Sequence, residues 1–106
     1  MSERGRLLTA DGVNLETKVD APDRPTRVTV LCHADPMQGG TMNSPLMIAV
    51  TRRLVERGHI VSRFNFRGTE ASTGSNQRGV AEVADVAAAV DHAAGTGLPL
   101  GIAGWS

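Results

Sequence analysis

The stretch Arg27-Val28-Thr29-Val30-Leu31-Cys32-His33 is apolar or β-branched at every position between its charged first residue and its terminal histidine. A strand reads this way when both of its faces are covered, as they are in a parallel sheet. Parallel strands need long crossover connections, usually helices, and the rest of the chain supplies them. After a loop, Ala34 to Asn43, Ser44-Pro45 marks a helix start. Serine can cap free N–H groups there, and proline fits the first helical turn. Leu46, Met47, Val50, Leu54 and Val55 then recur at helical spacing, and Gly58 ends the helix. His59 to Phe66 is the next strand, followed by a Gly- and Ser-rich loop, Arg67 to Gly79. Val80, Val83, Ala84, Ala87, Val90 and Ala94 predict the apolar stripe of a second helix, ended by Gly95, and Leu98 to Trp105 is a last strand. Upstream, Arg6–Ala10 and Val13–Asp20 flank Asp11-Gly12, a turn pair that tolerates positive φ, and so predict a β-hairpin. The order is hairpin, then β-α-β-α-β. It predicts an α/β fold with parallel strands and right-handed crossovers.

Composition removes several classes of partner. Eleven basic and eleven acidic residues are interspersed, so there is no electrostatic footprint for nucleic acid or an anionic membrane. Two Phe, one Trp and no Tyr leave nothing to build a base-stacking surface. A single Cys excludes an internal disulfide framework and suits a reducing compartment. No apolar run approaches the roughly 20 residues of a membrane span, and the N-terminus has no secretory apolar region. The expectation is a cytoplasmic protein without a membrane or nucleic-acid partner.

The last strand runs into Gly104-Trp105-Ser106, the first half of G-x-S-x-G. In that pattern the serine sits on a sharp strand-to-helix turn as a nucleophile. The second half, x-Gly, is not in the sequence. The last strand is also apolar and would have an open edge, which is an aggregation hazard or a pairing surface. We therefore expect residues 1–106 to be a single incomplete domain, truncated at the nucleophile elbow, with a homo-oligomer through the exposed sheet edge as the other outcome.

Three stretches, in order, resemble the α/β-hydrolase family. They are Cys32-His33-Ala34-Asp35-Pro36-Met37-Gln38-Gly39-Gly40-Thr41-Met42-Asn43, Arg63-Phe64-Asn65-Phe66-Arg67-Gly68, and Ala103-Gly104-Trp105-Ser106. They are most similar to a bacterial branch with a His-Pro-His-Pro-type loop, a Gly-Gly and Arg-x-Asn-Phe-Arg-Gly. In this chain Ala34 replaces the first proline of that loop and Asp35 the second histidine. The resemblance implies the N-terminal portion of an α/β-hydrolase sheet, spanning Leu7 to Ser106. It implies Ser106 as nucleophile of a serine hydrolase acting on a small acyl substrate (ester, thioester or amide) through an acyl-enzyme. The loop at His33, Ala34 and Asp35 would carry one oxyanion N–H, on Asp35 or its neighbour Ala34. Gly39, Gly40, Arg67 and Gly68 would organise the loops.

A serine needs a histidine base and a carboxylate to orient it. In this family they follow the serine in the chain. His33, His59 and His92 all precede Ser106. We therefore expect no useful turnover from the 106 residues alone. No cofactor is implied, and the scattered His and acidic residues lack metal-ligand spacing. Plainer readings stand beside these. His33 also reads as a residue that orders its loop through hydrogen bonds, Cys32 as an inert core thiol, and His59 as a surface residue. Arg52, Arg53 and Arg57 read as a solvated helix face. Two alternatives remain open: a Rossmann-like nucleotide-binding module, and a non-catalytic hydrolase-fold binding protein. Against the first, Gly39-Gly40 lie in a long Pro-containing loop and do not form the tight G-x-G-x-x-G that opens a helix.

Overall fold

The computed structural model describes residues 1–104. Trp105 and Ser106, and with them the expected nucleophile, lie outside the described residues. The elements are β1 (Ser2–Leu8), β2 (Asn14–Asp20), β3 (Arg27–Cys32), α1 (Pro45–Glu56), β4 (His59–Phe64), α2 (Glu82–Ala94) and β5 (Leu100–Gly104). A 3-10 turn, Pro36–Gln38, interrupts the loop after β3. The five strands form one sheet in the order β1-β2-β4-β3-β5. β3 lies parallel to both β4 and β5, and β2 is antiparallel to β1 and β4. This is the expected hairpin followed by a parallel β-α-β-α-β unit.

Both faces of β3 are covered, as its residues require. Leu31 packs with Val61 of β4 and Met47 of α1, with Val50, Leu54 and Val55 around them. On the opposite face Val28 and Val30 pack with Leu15, Phe64, Ala89 and Ala93. One helix therefore covers each face. Each fully buried aliphatic or Phe side chain contributes on the order of 1.5–3 kcal/mol.

Three expectations need correction. β1 begins at Ser2, four residues before the expected Arg6, and pairs with β2 along its whole length from Ser2↔Asp20 to Leu8↔Asn14. An edge strand can carry Glu3, Arg4 and Arg6 because its outer face is wet. Backbone pairing, not apolar content, defines it. Ser44 does precede the helix, with Pro45 at its first position, but its hydroxyl makes no capping bond.

The largest correction concerns α2. Its buried residues are Glu82, Asp85, Ala89 and Ala93. Val80 precedes the helix, Val83 is exposed, and Ala87 and Ala94 are exposed too. The helix is rotated away from its apolar stripe because two carboxylates fix its N-terminal turns. Glu82 accepts bonds from the N–H groups of Gln77 and Gly79 at 2.7 and 3.2 Å. Asp85, fully buried, binds Arg67. A satisfied buried charge pair overrides a weak Val/Ala periodicity, because breaking it costs more than exposing one valine.

β5 is exposed along its length, including Leu100 and Ile102. It is the edge of the sheet beyond β3.

The rotated helix sets a clear contrast. Asp85→Ala leaves Arg67 buried with less than its full complement of partners and is expected to cost about 3–5 kcal/mol. Val83→Ser is expected to change stability by less than about 0.5 kcal/mol. Urea unfolding of the two variants checks this; comparable losses would mean that the apolar stripe faces the core.

Candidate active site

In open α/β sheets, ligands bind beyond the carboxyl ends of the parallel strands. At that end of β3 and β4 lies a cleft of about 360 Å³, lined by His33, Ala34, Asp35, Pro36, Met37, Phe66, Asn76, Arg78, Gly79 and Glu82. The expected oxyanion loop thus forms one wall. The loop leading into α2 forms the other.

His33 closes the end of β3. Its Nε2 accepts the Phe66 N–H at 3.0 Å, so Nε2 is unprotonated and Nδ1 carries the proton. Nδ1–H then donates to the Ala34 carbonyl at 2.7 Å. Both ring nitrogens are engaged in a single neutral tautomer that ties the end of β3 to the segment after β4. The ring also packs edge-on against Phe66, with centroids 5.0 Å apart. Burial holds the His33 pKa below its ordinary value of 6.5, although the Ala34 carbonyl and Glu70 oppose the shift.

Asp35 is exposed, and its carboxylate accepts the Met37 N–H at 2.9 Å, capping the 3-10 turn. That carboxylate belongs to its own turn. Among the described residues the N–H groups of Ala34 and Asp35 donate no hydrogen bond, and both residues line the cleft. The Asp35 carbonyl accepts from Gln38 at 2.9 Å and Gly40 at 3.1 Å. Gly39 takes a φ of +82°, the left-handed conformation that suits glycine. Gly40 is required for a different reason. A Cβ there would lie 1.9 Å from the Ala34 carbonyl oxygen, so only glycine lets the loop fold back on itself.

The far end of that loop is held by Arg-x-Asn. Asn65, fully buried, accepts the Met42 N–H at 2.9 Å and donates to Glu16 at 2.7 Å. Arg63 donates to the Met42 carbonyl at 2.7 Å and to Asp20 at 3.2 Å. Both polar groups of the Met42 backbone are therefore gripped from β4 and the residue after it.

Arg67 completes the motif. Its Nε and Nη2 donate to Asp85 Oδ1 at 3.0 and 2.8 Å, and its own N–H donates to Asp85 Oδ2 at 2.9 Å. Nη1 and Nη2 also donate to the two oxygens of Asp11 at 2.8 and 3.1 Å. The guanidinium therefore joins the hairpin turn, the loop after β4 and α2. Hydrogen bonds from Arg67 and then Thr9 hold the Asp11 carboxyl down at about 2. The same two carboxylates push the Arg67 pKa well above its ordinary value. Gly68 follows at φ +77°, where a Cβ would approach the Asn76 nitrogen to 2.8 Å.

The expected residues His33, Ala34, Asp35, Gly39, Gly40, Arg67 and Gly68 thus gather at one end of the sheet. Sequence reasoning missed Arg63, Asn65, Asp85 and Glu82 as structural partners and treated Asp11 only as a turn former. The missed signal was physical. Charged residues inside a strand covered on both faces must be paired, and Asp85 with Glu82 stands one turn apart on α2. His59 also departs from expectation. It is half-buried and shares a 2.7 Å hydrogen bond with Thr29 rather than lying free on the surface. Burial pushes the Cys32 thiol up to about 11, in keeping with an inert cysteine. No group of three or more His, Cys, Asp or Glu able to hold a metal occurs among the described residues.

Two expectations follow. Because the folded-state pKa of His33 is lowered, the unfolded chain binds its proton first as pH falls. The stability that His33 contributes is then fully present above about pH 6.5 and is lost below it. Urea midpoints between pH 5 and 7.5 should fall on the acid side, and His33→Gln should flatten that slope; an unchanged slope contradicts a buried neutral His33. Gly40→Ala is expected to cost at least about 2 kcal/mol. An unfolding midpoint close to that of the parent would mean that the loop does not fold back as described.

Known proteins match this geometry. The family model described as X-Pro dipeptidyl-peptidase (S15 family) matches residues 11–101. The structure of an α/β serine hydrolase homologue from Coxiella burnetii is 30% identical, with a TM-score of 0.89 over 98% of this chain and 51% of that one. An α/β serine hydrolase without a lid from Xanthomonas campestris is also 30% identical, with a TM-score of 0.91 over 99% of this chain and 50% of that one. An uncharacterised protein of Rickettsia prowazekii is 36% identical over 74 residues, which are 70% of this chain and 30% of that protein. The chain thus spans about half the length of these solved structures and less than a third of the curated relative. A family match over most of the chain, together with the five-stranded sheet and the loops at its carboxyl end, shows that the chain belongs to the X-Pro dipeptidyl-peptidase (S15) family and has the fold of the N-terminal half of an α/β hydrolase.

Proposed function

We propose that this chain supplies the nucleophile and half of the oxyanion site of a serine hydrolase that cleaves an ester, thioester or amide of a small acyl substrate. The observation that carries this reading is the wall of the cleft at Ala34 and Asp35. Two backbone N–H groups stand there without a partner among the described residues, on a loop fixed at Gly40 and Met42. Preorganised donors of this kind stabilise the oxyanion of a tetrahedral intermediate, and each contributes about 2.7–4 kcal/mol to the transition state. Asp35 fits the role because its charge is directed to the Met37 N–H.

In this reading the Ser106 Oγ attacks the carbonyl carbon, and the carbonyl oxygen takes the electron pair and is held by the loop N–H. Collapse expels the alcohol, thiol or amine and leaves an acyl-serine, which water hydrolyses. The proton of Ser106 needs a histidine base, and the histidines among the 106 residues do not suit that task. His33 has both nitrogens engaged, His59 stands at the amino end of β4, and His92 is exposed on α2. The 106 residues alone are therefore proposed to be inactive. Peptidase, esterase and acyltransferase chemistry all fit the same nucleophile.

The test is activity-based labelling. The purified product of the native coding sequence is treated with a fluorophosphonate, which reacts only with an activated serine. Labelling at Ser106, abolished in Ser106→Ala, is the expected result; labelling that persists in Ser106→Ala contradicts the assignment. The isolated 106-residue chain should stay unlabelled at the same reagent concentration. Its Ser106-dependent labelling would show that the proton acceptor lies within these residues after all.

A further inference from the structure

A second hollow lies away from the cleft, where β2 and β4 meet α1. It has a volume of about 260 Å³, and Lys18, Asp20, Asn43, Thr51, Arg52 and Arg63 line it. Lys18 and Arg63 are direct partners in the antiparallel β2–β4 register. Opposed residues of such a pair share a face, and like charges placed there destabilise the sheet. Arg52 of α1 adds a third cation to the same hollow. Among the described residues Lys18 and Arg52 make no ion pair, and the one carboxylate of the lining, Asp20, already accepts from Arg63. Glu70 accepts from the Asn43 amide and Glu56 pairs with Arg53.

Arg63 gives an independent indication. It is only 3% exposed, and its Nε–H is buried with no hydrogen-bond partner. A buried guanidinium with an unpaired donor, facing a like charge across the strand pair, is an arrangement that a bound anion would complete. We propose that this hollow is a binding site for a tetrahedral phosphate group, held by Lys18, Arg52 and Arg63. Lys18 of β2, Arg63 of β4 and Arg52 of α1 line the same hollow, and three cations suit a multiply charged oxyanion better than a single carboxylate. The hollow shares no lining residue with the cleft at the carboxyl end of the sheet. It meets the loop after β3 at Asn43, and Arg63 holds the Met42 carbonyl of that loop through Nη1.

The experiment is a thermal shift titration of the native gene product at constant ionic strength. Inorganic phosphate and glycerol 3-phosphate are the probes, with chloride and acetate as references. Specific binding raises the melting temperature with ligand concentration. The expected result is a saturable rise with phosphate, glycerol phosphate or both, absent with acetate. The probe that saturates at lower concentration identifies free phosphate or a phosphate monoester as the source. Lys18→Gln with Arg52→Gln should weaken the apparent affinity by about tenfold or more. Arg52→Gln alone, on an exposed helix position, serves as the variant least able to disturb folding. In chloride, Lys18→Gln should melt at the same or a higher temperature than the parent, because it removes the cross-strand repulsion. A phosphate response no larger than that of acetate, or one unchanged in both Arg52→Gln and the double variant, overturns the proposal. Ser106→Ala should respond to phosphate like the parent, so the outcome does not depend on whether the hydrolase reading holds.

Discussion

Arg67 is buried with its charge, and the carboxyl end of the sheet is arranged around that fact. A buried guanidinium is tolerated only when its donors are matched with good geometry. Asp85 supplies one carboxylate from α2, and Asp11 supplies another from the hairpin turn. Meeting that requirement fixes three pieces of the chain that are far apart in sequence. It also explains why α2 presents Asp85 rather than Val83 to the sheet.

The same short motif controls the loop after β3. Arg63 and Asn65 hold Met42 at one end of that loop. The Phe66 N–H holds His33 at the other end. Residues of one strand and its extension thus hold both ends of the loop, while Gly40 allows the loop to turn back against Ala34. These contacts fix the backbone at Ala34 and Asp35, together with the bonds those residues make to His33, Met37, Gln38 and Gly40.

Much of this was legible in the residues. The doubly covered strand, Arg27–Cys32, announced a parallel sheet, and the turn chemistry of Asp11-Gly12 and Gly58 marked the right boundaries. The motif residues fell at strand ends, where sites form. What was not legible was the set of long-range partners. Nothing local in Glu82-Val-Ala-Asp85 says that its acids face inward, because that depends on an arginine eighteen residues upstream of Asp85. The early start of β1 was hidden for a related reason. An edge strand is defined by the neighbour it pairs with, and Ser2-Glu3-Arg4-Gly5 carries no apolar pattern to reveal it.

Native-state hydrogen exchange measures the central claim directly. If one strand end holds the loop, the Met42, Phe66 and Arg67 amides open together and match the protection of the β3 core amides of Val30 and Leu31. Asn65→Ala should then release the Met42 amide while leaving the β3 amides protected relative to the variant's own global stability. The account is contradicted if Met42 and Phe66 exchange at the rates of an unanchored loop in the parent protein, with only β3 protected.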